Sequence, residues 1–94
     1  MFIKTLGLCE GRHELPETVE GFVFPQEIPD PTDTLRLSDH ASRVIGQCDS
    51  VVLYVTGLTV ALGAVINHCA YEGIHLTLMH FDRNSGGYYP QYLF

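Results

Sequence analysis

An α/β fold, with a small, mostly parallel sheet and flanking helices in one domain over residues 1–94, is predicted by three observations. Val51-Val52-Leu53-Tyr54-Val55 is apolar without alternation, the pattern of a strand covered on both faces. Thr56-Gly57-Leu58-Thr59 then interrupts the run with turn and capping residues, and Val60 to Tyr71 resumes as a helix apolar around most of its circumference. Ile74 to Phe81 follows as a strand, with Ile74, Leu76, Leu78 and His80 on one side and His75, Thr77, Met79 and Phe81 on the other. Strand, helix, strand in this order implies a right-handed crossover and two parallel strands.

The first half is read in the same way. Phe2 to Leu8 places Phe2, Lys4, Leu6 and Leu8 on one parity and ends at the polar Glu10-Gly11-Arg12-His13-Glu14, which predicts a strand followed by a loop closing at Pro16. Gly21-Phe22-Val23-Phe24 is aromatic and β-branched but meets Pro25 at once, so it is expected as a short strand at an edge or leading into an irregular arm. Pro25, Pro29 and Pro31 with Asp30 and Asp33 mark a break. From Asp33 to Gly46, Leu35, Leu37, Ala41, Val44 and Ile45 form a helical stripe, with Asp33 or Thr34 at its start. Gly73 stands where the C-cap of the second helix is expected.

Composition narrows the partners. Eleven acidic against five basic residues give a formal net charge of −6, which opposes binding to long nucleic acids, where affinity rests on many cationic contacts to phosphate. With 46% hydrophobic and 17% charged residues the chain is apolar for its size, and a homodimer burying Val60, Leu62, Val65, Ile66 and Tyr71 is expected. Cys9, Cys48 and Cys69 form no C-x-x-C pair and no secretory leader pattern opens the chain, so a reducing cytoplasmic location is expected. Gly57, Thr59 and Asn67 break the apolar stretches well short of a membrane span. His40, His68, His75 and His80 have no metal-ligand spacing, so neither metal nor cofactor is expected.

In open parallel sheets ligands sit beyond the carboxyl ends of the strands, here Thr56 to Thr59, Asp82 to Tyr89 and, with a parallel first strand, Glu10 to Glu14. Gly57 permits a close turn, Thr59 can cap the helix through its hydroxyl, and the first helical N–H groups then point at a small anion; the same residues also suit a plain turn. Arg12 and His13 offer a phosphate-binding cation and a proton-transfer group, or a solvated loop. Asp82 to Gln91 reads either as a hairpin turn or as a nucleotide wall, with Arg83 and Ser85 holding phosphate and Tyr89 among three rings able to stack on a base; the same rings also suit a dimer interface. His80 ends its strand at this edge.

Read as strand, Thr-Gly-Leu-Thr turn and apolar helix, Val52 to Ala64 resembles the ligand motif of CRISPR-associated Rossmann-fold (CARF) domains and related small accessory proteins. That resemblance implies a Rossmann-like domain in which Thr56, Gly57 and Thr59 touch the phosphates of a cyclic oligoadenylate across the two-fold axis of a homodimer, with Leu58 completing the candidate ligand-binding turn. Some members cleave that messenger slowly without metal, as ring nucleases. Leu58 stands where the family has a second small residue, and Val60 where a Lys is often found. The rival expectation is a non-catalytic module whose apolar helix and Tyr-Tyr-Pro-Gln-Tyr-Leu-Phe tail assemble with a larger protein.

Overall fold

The computed structural model describes residues 2–11 and 14–94. Five strands, β1 (Ile3–Cys9), β2 (Gly21–Phe24), β3 (Ser50–Tyr54), β4 (His75–Asp82) and β5 (Gly87–Tyr92), form one sheet in the order β2-β1-β3-β4-β5. β2, β1, β3 and β4 are parallel, and β5 returns antiparallel to β4. The helices α1 (Thr34–Ile45) and α2 (Thr59–Glu72) connect β2 to β3 and β3 to β4. This is a small Rossmann-like α/β fold, with β2 at an edge as Pro25 requires.

Register aligns Leu6 with Leu53, and Leu53 with Leu78, so these side chains share one face. They join Leu37, Ala41 and Ile45 of α1 and Ala61, Val65 and Cys69 of α2 in a single core. Both crossovers step in the same direction across the sheet, so right-handed connections bring both helices to this same face. Lys4, aligned with Val51, confirms the side: its Nζ donates to the Ile45 carbonyl at 2.6 Å and satisfies an acceptor left open at the end of α1.

The helices begin and end where local chemistry directs. Asp33 caps α1, its carboxylate accepting from the Arg36 N–H at 3.2 Å. Gly73 closes α2 in the left-handed conformation, at φ 69°. His68 then binds the helices together: Nε2–H donates to the Gly46 carbonyl at 2.9 Å, and Nδ1 accepts from the Ser42 hydroxyl at 3.0 Å.

The opposite face has no helix. On its β1–β2 side the Phe22 ring and Leu15 press onto Gly7, where an added Cβ would lie 2.6 Å from the ring. Over β3, β4 and β5 Tyr54 is buried against Tyr88, Val52, Thr77 and Met79 are half-buried, and Phe81 and Tyr92 are exposed.

Two expectations are corrected here. Thr59 does not cap α2; Leu58 is the N-cap, with no side-chain hydrogen bond, because the chain enters helical geometry one residue earlier than the hydroxyl requires. The expected homodimer surface on α2 is also largely consumed. Val65 is buried, and Val60, Leu62 and Ile66 pack against the core, which leaves Tyr71 as the one fully exposed member of that set.

Candidate functional site

The chain leaves β1 for β2 on one side and returns to β3 on the other, so the connection reverses between β1 and β3. At such a switch point the strand ends open a crevice at their carboxyl edge. Its floor is built from Cys9 and Thr56. Thr56, 2% exposed, donates its hydroxyl to the Cys9 carbonyl at 2.9 Å and accepts from the Cys9 N–H at 3.2 Å. The hydroxyl is therefore committed to joining β1 and β3, and what faces the crevice above it is backbone.

Gly57, Leu58 and Thr59 are exposed at the lip. Gly57 has φ 98°, a left-handed conformation that disfavours any side chain, and it turns the chain directly into α2. Because Leu58 offers no side-chain acceptor, the N–H groups of Thr59 and Val60 meet none among the described residues, whereas Ala61 and Leu62 reach the Leu58 carbonyl at 3.1 and 3.2 Å. The Thr59 hydroxyl, exposed and with no hydrogen bond among the described residues, lies in the same turn. An uncapped first turn concentrates partial positive charge at this point.

The neighbouring lips are formed by Glu10 and Gly11 after β1, where the Glu10 N–H donates to the Phe24 carbonyl at 3.1 Å. Arg12 and His13, the expected cation and proton-transfer group, lie outside the described residues. Beyond β2 a cavity of about 160 Å³ opens between the proline-rich segment and α1, lined by Phe24, Pro25, Ile28 and Leu37 with Arg36 and His40 at its polar side. The His40 ring stacks on Phe24, and Nε2–H donates to the Val23 carbonyl at 2.8 Å. Neither Arg36 nor His40 stood out as a site residue in the sequence; the three nearby prolines were the available signal.

On the far side of the switch point, the segment after β4 is a hairpin, so the turn reading holds. The Asp82 carboxylate accepts from the Asn84 N–H at 3.1 Å, and Ser85 Oγ accepts from the Gly87 N–H at 3.2 Å. The bond from the Asn84 N–H, followed by hydrogen bonding from the Ser85 side chain, holds the Asp82 carboxyl below its ordinary range. Arg83 and Ser85 sit exposed at the tip, and the Ser85 hydroxyl is engaged in the turn.

The expected wall of three rings divides by strand alternation. Tyr88 and Tyr92 point to the open face, whereas Tyr89 shares the helix-covered face with His80 and lies 5.5 Å from it, centroid to centroid. His80 Nε2–H donates to Gln91 Oε1 at 2.7 Å. Tyr89, His80 and Gln91 thus form a polar group on the same face and near the same edge as the first turn of α2. Gln91 was not foreseen, since its pairing depends on a strand across residues 87–92.

Among the described residues, no group of three or more His, Cys, Asp or Glu is placed to hold a metal ion, and no helix is long and apolar enough to cross a membrane. Comparison with protein-family models, with curated proteins and with solved structures gives no match for this chain.

Proposed function

We propose that the protein binds a small nucleotide-type phosphate ligand at the carboxyl edge of its sheet, over the β1–β3 switch point. The observation that carries this reading is the uncapped, exposed start of α2 at that point: Gly57 lets a ligand approach the backbone, and the N–H groups of Thr59 and Val60 have no acceptor of their own among the described residues. Thr59 contributes its hydroxyl, and Thr56 acts beneath as a structural tie. Arg83 and Tyr89 flank the site.

By resemblance to CARF domains, the ligand in this reading is a cyclic oligoadenylate held by a homodimer in a CRISPR-linked antiviral response. Ring cleavage would then need no metal. A ribose 2′-oxygen attacks the adjacent phosphorus, the P–O5′ bond breaks, and the products carry a 2′,3′-cyclic phosphate and a 5′-hydroxyl. The Gly57 to Thr59 backbone, with Arg12 or Arg83, would balance the phosphate charge, and His13 would transfer the proton.

Leu58→Asp tests the anion site, because it separates stability from binding. A carboxylate at the N-cap satisfies the free N–H groups and should stabilise the fold by about 1 kcal/mol, while its charge expels phosphate. The expected result is a higher melting temperature together with loss of the thermal shift that cyclic oligoadenylates or ATP give the native chain. Unchanged ligand shifts in Leu58→Asp, or none in the native chain, would reject the reading. In the second case the non-catalytic interaction module leads, favoured by the exposure of Tyr92 and Phe94 in the C-terminal segment.

A further inference from the structure

Three large exposed hydrophobic side chains, Ile3, Phe81 and Tyr92, lie on the sheet face opposite the helices, against Leu35 on α1 and Tyr71 on α2. Alternation sends Ile3, Val52, Thr77, Met79, Phe81 and Tyr92 to this side, and register sets Thr77 between Val52 and Tyr92 at its centre. Tyr92 is 77% exposed, Ile3 50% and Phe81 41%. No Asp, Glu, Lys or Arg of β1, β3, β4 or β5 projects onto it: Lys4 turns to α1, and Asp82 lies on the other parity, in the hairpin turn.

We infer that this uncharged face of β3, β4 and β5 is the surface on which a second copy of the chain packs, sheet against sheet. The inference rests on the homodimer part of the reading above and gives that dimer a different surface from α2. Two arguments select a second copy. The first is charge: a chain of net charge −6 resists meeting itself where its carboxylates lie, and here strands β3, β4 and β5 present no Asp, Glu, Lys or Arg to the copy. The second is area. At about 150–250 Å² for a whole aromatic side chain, the exposed fractions of Tyr92, Phe81 and Ile3 with the half-buried Val52, Thr77 and Met79 leave roughly 450 Å² on this face. A self-complementary pair would then bury roughly 900 Å², below the range of stable interfaces, which suits a weak, concentration-dependent dimer.

Edge-to-edge association is disfavoured by the sheet itself. The Leu93 N–H donates to the Leu76 carbonyl, so alternate residues of β5 bond inward and Pro90 occupies an outward position, where it has no N–H to offer another strand. At the opposite edge β2 has only four residues and is followed by Pro25.

Sedimentation velocity from roughly micromolar to millimolar protein tests the inference on the native chain, on Tyr92→Glu and on Tyr71→Glu. The native chain should pass from monomer to dimer. Tyr92→Glu should raise the dissociation constant at least tenfold, since each interface would bring two carboxylates into an apolar contact, and Tyr71→Glu on α2 should leave it unchanged. If Tyr92→Glu fails to fold, judged by circular dichroism, Ile3→Lys reads the same face. A dimer that survives Tyr92→Glu, or that Tyr71→Glu disrupts, overturns this surface and leaves the homodimer standing. A native chain monomeric throughout overturns both and assigns the face to another protein.

Discussion

The hydroxyl of Thr56 and the backbone of Cys9 bond in both directions, as donor to the carbonyl at 2.9 Å and acceptor from the N–H at 3.2 Å, and the pair closes the sheet directly beneath the candidate anion site. Thr56→Val keeps the shape and leaves two buried backbone groups unpaired, which should destabilise the fold by about 3 kcal/mol. Thr56→Ser keeps the hydroxyl and should recover most of that. Urea denaturation of the two variants decides it, and equal stability would mean that the tie is unimportant.

The same residue shows how far the sequence could be read. The unalternating run of β3, the caps at Asp33 and Gly73, and the edge position of β2 were all legible, because each follows from local chemistry: apolar periodicity, a short polar acceptor, a glycine, a following proline. The direction of one side chain is not local. Whether Thr56 faces a ligand or its neighbouring strand depends on β1, 47 residues away. The helix start shifted from Thr59 to Leu58 for a related reason, since both residue types are compatible with the turn and only the backbone angles select one. The hairpin reading of Asp82 to Gln91 left the extent of β5 open; Pro90 is tolerated inside it because position 90 needs no N–H toward β4.

Tyr88 is the next test. Its ring packs against Tyr54 at 4.8 Å and Phe81 at 5.5 Å, yet its hydroxyl is buried with no partner among the described residues. Burial, followed by the neighbouring Tyr54, pushes its pKa upward. Removing an unsatisfied buried hydroxyl while keeping the ring should cost nothing and can gain about 1 kcal/mol. Tyr88→Phe should therefore melt at or above the native temperature; a lower value would reveal a bond to this hydroxyl in solution.

His68 joins the helices through two bonds, to the Gly46 carbonyl and the Ser42 hydroxyl, in a site only 8% exposed. His68→Phe fills similar space and strands the carbonyl, so a loss of about 2 kcal/mol is expected. Ser42→Ala, with Ser42 itself exposed, should cost less than half as much. Guanidinium unfolding that ranks the two variants in the reverse order would place the coupling at Ser42 instead.

Cys69 makes alkaline stability the last test. Burial, with Cys48 close by, pushes its thiol from the ordinary 9.0 up to about 11, and burial also raises Cys48. The sign follows from proton counting. Between the unfolded and folded values the native chain keeps a proton that the unfolded chain has lost, so unfolding releases it and is favoured as pH rises. The thiol's contribution is fully present below about pH 9 and is lost as pH rises toward about 11. Urea midpoints of the native chain should fall across that window. Cys69→Ala should be weaker at neutral pH through lost packing, and its midpoint should fall less steeply; a Cys48→Ser, Cys69→Ala pair should flatten the curve further. A native slope retained in the double variant would assign the alkaline loss to other groups, such as the tyrosines.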